Sequence, residues 1–204
     1  MIKLWLIRHS MTEGNKKKRY IGTTDEPLCR EGKELLKEGI YPRPDLIFTS
    51  PMIRCVQTAG ILFPKYGLHI IEELAECDFG EFENKNYLEL EGNTNYQKWI
   101  DSGGLLPFPG GESREEFKRR TLWGFRKALS LCMLEKAASA ALVIHGGSIM
   151  NIMEAFGTPS RDFYQWHVKN GCGYEVQVDE ARWQQGKEIL TVLGEIPKKA
   201  GDGS

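Results

Sequence analysis

Leu6-Ile7-Arg8-His9-Ser10 and Val143-Ile144-His145-Gly146-Gly147 stand far apart in the chain and share one layout. Each is an apolar run that stops on a histidine. Short apolar runs of about four to eight residues, closed by turn-forming residues, fit buried strands. Ile2 to Ile7 and Ala140 to Ile144 are therefore predicted as inner strands. In an open α/β sheet, ligands bind outside the carboxyl ends of the strands. Here two strands each deliver a histidine to that edge, one beside an arginine and one before two glycines. The arrangement points to a pocket for an anion, with a phosphoryl group attacked by one histidine as the leading reading.

Outward from these two runs, strands alternate with helices. Arg30 to Ile40 is predicted as a helix, Asp45 to Thr49 as a strand, and His69 to Ile71 as a third strand. Ser50-Pro51 carries a helix-start signal, serine as cap and proline in the first helical position. That helix is expected to run to about Phe63, with Ile53, Val56, Ile61 and Leu62 facing the core. Between Leu74 and Glu112 the pattern weakens and ends in a Gly/Pro-rich stretch, the mark of a functional or mobile insertion. Glu112 to Ala138 is predicted as a long amphipathic helix and Ser148 to Phe156 as another. Gly173 to Val178 and Ile189 to Glu195 are expected to pair across a turn as a hairpin at the sheet edge. The sum is a three-layer α/β/α sandwich with a mostly parallel sheet. One domain over 1–196 is expected, with an insertion at about 81–111 and a polar, frayed tail at 197–204.

Composition narrows the function. The chain has 204 residues, enough for one substantial core and short for two domains. A net charge of −1 gives no global field for nucleic acid or an anionic membrane, so neither is an expected partner. Positive charge at a phosphate site must be local. The cysteines (Cys29, Cys55, Cys77, Cys132, Cys172) form no C-x-x-C pair, which argues against zinc and against a redox disulfide. Reduced thiols and a cytoplasmic location are the plain expectation. Met1 to Ile7 is too short for a signal peptide or a membrane span. No metal-ligand cluster stands out, so neither metal nor cofactor is expected.

Arg8-His9 alone is a weak signal. Arg54 strengthens it, because it falls early in the helix expected after Ser50, and helix N-termini attract phosphate. Guanidinium grips phosphate bidentately, and Gly146 and Gly147 let backbone come close to a ligand. Arg8, His9, Arg54 and His145 thus come from three strand ends that can meet at one edge.

These residues resemble the histidine phosphatase superfamily, which includes the cofactor-dependent phosphoglycerate mutases. Leu6 to Asn15 is similar to its signature of arginine, histidine, glycine, threonine or serine, then asparagine. Tyr20-Ile21-Gly22 with Asp25, Pro27 and Leu28 resembles the stretch that follows the signature in α-ribazole phosphatases. Thr49-Ser50-Pro51 with Arg54, Gln57, Thr58 and Ala59 looks like the second motif. Leu74 to Gly80 looks like the segment carrying the family's acid, Pro109 to Ser113 like the start of its long helix, and His145-Gly146-Gly147 like its second histidine. The resemblance covers nearly the whole chain. Departures are Ser10 and Asn84, where glycine is usual, and Cys29-Arg30, where a helix-capping threonine region is usual.

The resemblance implies a phosphoglycerate mutase-like fold with a small helical cap, and metal-independent phosphomonoester hydrolysis through a phosphohistidine. His9 would be the nucleophile. Arg8, Arg54 and His145 would neutralise the phosphoryl oxygens. Ser10, Asn15, Ile21, Gly22 and Gly146 would bind phosphate or line the loop. Glu76 is the preferred general acid and Glu112 its rival, with Glu81 and Glu83 behind them. The run Lys16 to Arg19 is expected to be a solvated face. In the cap, Tyr87, Tyr96, Trp99 and Phe108 outnumber Lys85 and Lys98, which suits a bulky, weakly charged leaving alcohol, or equally a packed cap. The expected partner is a small phosphorylated metabolite such as α-ribazole 5′-phosphate. Mutase action and a catalytically weak phosphate-binding scaffold are the alternatives. A homodimer stands open, since nothing in the pattern decides it.

Overall fold

In the computed structural model, which describes residues 1–198, the two histidine strands are hydrogen-bonded neighbours. β1 (Ile2–Arg8) and β4 (Ser139–Ile144) run parallel with Arg8 opposite Ile144. That register sets His9 beside His145. β2 (Leu46–Thr49) flanks β4 in parallel, and β3 (His69–Ile70) flanks β2. The sheet has seven strands in the order β3-β2-β4-β1-β6-β7-β5, with β5 at Gly157–Thr158, β6 at Gly173–Val178 and β7 at Leu190–Ile196. Pairs β1/β6 and β6/β7 are antiparallel and the rest parallel.

Alternation along β1 builds the layers. Ile2, Leu4 and Leu6 point to one face, where they pack with α5 (Arg114–Leu134) and α6 (Gly146–Phe156). Trp5 and Ile7 point to the other, against α3 (Ile53–Leu62). Both faces of β4 are buried as well. Burying each such leucine or isoleucine contributes roughly 1.5–3 kcal/mol, which explains the unbroken apolar runs. Helix α5 starts on a capping box in which Ser113 and Glu116 satisfy each other's backbone N–H. It stops at Leu134, short of the expected Ala138, and Lys136 just beyond takes a left-handed conformation.

Other boundaries also differ from expectation. α2 covers Arg30–Leu35 only, capped by the Cys29 thiol, which accepts the Gly32 N–H at 3.3 Å. α3 begins three residues after Ser50, and Asp25 Oδ1 accepts the Ile53 N–H at its start. Its buried face carries Arg54, Cys55, Thr58 and Ala59, while Ile61 is exposed, because the helix turns polar groups inward to the site. The β6/β7 pair is joined by α7 (Glu180–Gln184) rather than by a tight turn, and it lies inside the sheet with β5 outermost. Pro197 packs on Gly39, and Lys198 bridges to Ile40, so this part of the expected tail is held. The remainder, 199–204, lies outside the described residues.

The insertion carries α4 (Thr94–Asp101), capped by Asn93. Tyr96, Trp99 and Phe108 pack with Tyr20, Phe79 and Phe82 in one aromatic cluster, while Tyr87 is exposed. Arg19 grips Glu89 of the insertion with two hydrogen bonds, so the basic run is not a uniformly solvated face. α1 (Glu13–Lys16) closes the loop after β1.

Candidate active site

His9 follows β1 directly, and its N–H donates to the Ile144 carbonyl at 2.9 Å. Its ring and that of His145 lie 5.2 Å apart, edge to face, and both are almost wholly buried. His9 Nδ1 donates to the Ser10 carbonyl at 2.7 Å. This bond supplies the acceptor that the sequence does not reveal, and it leaves Nε2 with the free lone pair. His145 Nε2 lies 2.7 Å from the Ser50 hydroxyl. With Ser50 as donor, the His145 proton sits on Nδ1.

Arg54 is fully buried on α3. Its Nη atoms donate to the carbonyls of Thr24, Ile21 and Gly22. Arg8 Nη1 donates to the Val168 carbonyl at 2.8 Å. The Nε–H of each arginine is buried and has no acceptor among the described residues. A buried unpaired donor costs about 1–3 kcal/mol, more when charged, and an oxyanion removes that cost. Burial first, then the charges of Arg54 and Arg8, hold His9 well below the ordinary imidazole pKa; the Ser10 bond opposes them. Burial and Arg54 do the same to His145. Both rings are neutral at physiological pH. Gly146 opens α6 beside Arg8, where a Cβ would lie 3.3 Å from Arg8 Nε.

Glu76 is the carboxylate at the site. Its Oε2 lies 3.9 Å from His145 Nδ1, and 12% of its side chain is exposed. Burial raises its pKa, while the Cys77 N–H and the nearby arginines pull the other way. With His145 neutral, this approach is not an ion pair. A Cβ on Gly147 would stand 2.9 Å from Glu76 Oε1, so this glycine makes room for that carboxyl. The rival Glu112 is taken up by Arg120, which binds both of its oxygens. Glu81 holds Asn95, and Glu83 Oε1 accepts the N–H groups of Gly22 and Thr24.

The remaining expected binding residues act around the site rather than in it. The Ser10 hydroxyl turns away and donates to the Gly32 carbonyl at 2.6 Å, while its N–H donates to Thr58 Oγ1. Asn15 Oδ1 accepts from the Thr12 N–H and from Asn170, which also reaches the carbonyls of His9 and Ser10. Ile21 and Gly22 present carbonyls to Arg54. Gly22 is required for close approach, since a Cβ there would meet the Cys77 carbonyl at 1.9 Å. Ser50 and Thr58 lie in the second motif, but their bonds to His145 and Ser10, and the part played by Asn170, come from the fold.

Beside Glu76 and Gly147 opens a cavity of about 260 Å³, walled by Phe79, Trp99, Phe108, Phe117 and Tyr164, with Arg114 the one cation lining it among the described residues. Arg114 stacks over Phe163 and donates to Glu154. Among the described residues, Glu13, Cys29 and Glu31 bring ligand atoms within 4.8 Å of one another. Lys16 already bonds both carboxylates, and the group contains none of the residues around His9.

The model of the histidine phosphatase superfamily (branch 1) matches residues 4–187. A Hydrogenobacter thermophilus protein that bears a phosphoserine phosphatase name is 30% identical over 188 residues, covering 88% of this chain and 91% of the relative. The adenosylcobalamin/alpha-ribazole phosphatase of Escherichia coli is 27% identical over 190 residues, covering 88% and 91%. The crystal structure of the alpha-ribazole phosphatase from Shigella flexneri superposes with a TM-score of 0.78 at 25% identity, covering 97% and 96%.

Proposed function

This chain belongs to the histidine phosphatase superfamily and is a phosphomonoester hydrolase, and on that premise we propose how its residues divide the reaction. The lone pair on His9 Nε2 attacks phosphorus, forming a P–N bond as the P–O bond to the alcohol breaks. Glu76 gives its proton to the departing oxygen. Water then attacks the phosphohistidine, Glu76 takes the water's proton, and the P–N bond breaks to release phosphate and neutral His9. The two Nε–H donors of Arg8 and Arg54, with His145 Nδ1–H, meet the negative charge that develops on the phosphoryl oxygens. The single observation that carries this reading is the His9–His145 pair, 5.2 Å apart, with Nδ1 of His9 locked by a carbonyl.

The substrate is an ester of a bulky, weakly charged alcohol, and α-ribazole 5′-phosphate, an intermediate of cobalamin assembly, is the proposed candidate. The aromatic cavity beside Glu76 supports this, as does the relative named for α-ribazole. The reduced state of the cysteines, all free, supports a cytoplasmic enzyme. No helix of the described residues is long and apolar enough to cross a membrane. Steady-state turnover of a phosphomonoester panel tests the assignment. Ribosides of flat heterocycles, phosphorylated at the 5′ oxygen, are expected to show the highest kcat/KM. A preference for 3-phosphoglycerate that requires bisphosphoglycerate priming would overturn it in favour of a mutase.

A further inference from the structure

The segment that carries Glu76 has little regular structure of its own. One 3₁₀ turn, Glu72–Leu74, precedes it, and among the described residues no strand pairs with residues 75–79. Its backbone is tied instead to one side chain of α5. Arg120 Nη1 donates to the carbonyls of Glu73 (3.0 Å) and Ala75 (2.9 Å). Nη2 donates to the carbonyl of Glu76 itself (3.2 Å) and to Glu112 Oε2 (2.7 Å). Nε donates to Glu112 Oε1 at 2.9 Å. Glu112 continues the clamp past the acid, because its Oε2 accepts the Asp78 N–H at 3.2 Å and its own N–H donates to the Asp78 carbonyl at 2.9 Å. One turn along α5, Gly124 lets the same segment lie against the helix: a Cβ there would stand 3.0 Å from Glu73 Cβ. All five N–H groups of a planar guanidinium are suited to such a fork.

We propose that Arg120, braced by Glu112, is the positioning residue of the acid step: it fixes the backbone on both sides of Glu76 and so sets where the carboxyl meets the leaving oxygen. It does not touch the substrate. The inference rests on the reading of Glu76 as the acid. A displacement of about 1 Å can cost about 10²-fold in rate even when its origin is remote from the chemistry.

The test compares two esters. An alkyl phosphomonoester needs a proton on its leaving oxygen, whereas p-nitrophenyl phosphate releases a stable anion and needs none. kcat/KM reports the steps through formation of the phosphohistidine. Arg120→Gln is expected to lose about 10²-fold in kcat/KM on the alkyl ester and several-fold at most on p-nitrophenyl phosphate. Inhibition by inorganic phosphate should be unchanged, since Arg8, Arg54 and both histidines are intact. Arg120→Lys, which keeps the charge but lacks the fork, should recover only part of the loss. Glu112→Gln should show the same selective loss in a milder form, and it carries the test if Arg120→Gln does not fold. Equal losses on the two esters, or full rescue by lysine, would overturn the inference while leaving hydrolysis in place. A parent protein that turns over neither ester would remove the hydrolase reading, and this inference with it.

Discussion

An imidazole buried beside two guanidiniums sheds its proton easily, while burial raises the pKa of a carboxyl in the same place against the pull of those guanidiniums. Both shifts favour the chemistry. In the proposed reaction His9 attacks as a neutral ring, and burial with Arg54 and Arg8 lowers its pKa. Glu76 must be protonated to serve as acid, and burial raises its pKa. The pH profile follows from these signs. Activity should fall on the acid side only below the ordinary imidazole value of about 6.5, as His9 gains a proton. On the basic side it should fall as Glu76 ionises, above the ordinary carboxylate value. Glu76→Gln should lose the basic limb and about 10²–10⁴-fold in rate. Ionisation of the substrate phosphate is common to both proteins, so their comparison isolates Glu76. An unchanged basic limb in the variant would assign it to another group. Ser10, the departure nearest the nucleophile, is absorbed without loss of the site: its hydroxyl holds α2 through Gly32.

At the scale of elements, the histidine strands were legible because a buried parallel strand is an unbroken apolar run, and both runs end on a histidine. The helix after Ser50 was legible in outline only. Its inner face is Arg54, Cys55, Thr58 and Ala59; of the apolar positions expected inside, Leu62 packs on the core, Ile53 and Val56 are half-buried and Ile61 is exposed. Serine there reads as a cap, yet its hydroxyl binds His145, a partner that no local rule supplies. β5 is two residues long and α7 five, too short for a periodic signal. Glu76 was preferred over Glu112 by resemblance; the structure adds that Arg120 holds both Glu112 oxygens. Asn84 shows a local rule surviving substitution. It takes φ 56°, which explains why glycine is usual there, and asparagine tolerates that region better than most residues. Asn84→Gly should therefore change stability little, whereas Asn84→Val should cost about 1–2 kcal/mol in urea denaturation. Equal midpoints for the two variants would remove the backbone explanation.

Across the whole molecule, the strand order decides everything else. β2, β4 and β1 are neighbours, so residues from the chain's beginning, its first third and its last third meet at one sheet edge. The insertion adds an aromatic wall beside Glu76 and is held to the loop after β1 by Arg19 and Glu89. In the proposed reaction every part converges on one atom, His9 Nε2. Rapid quenching during turnover of a phosphorus-labelled monoester tests that convergence directly. Protein-bound label is expected to be stable to alkali, lost in acid, mapped to the peptide containing His9, and absent from His9→Ala. Label of the same lability persisting in His9→Ala, or an acid-stable adduct in the parent protein, would contradict it.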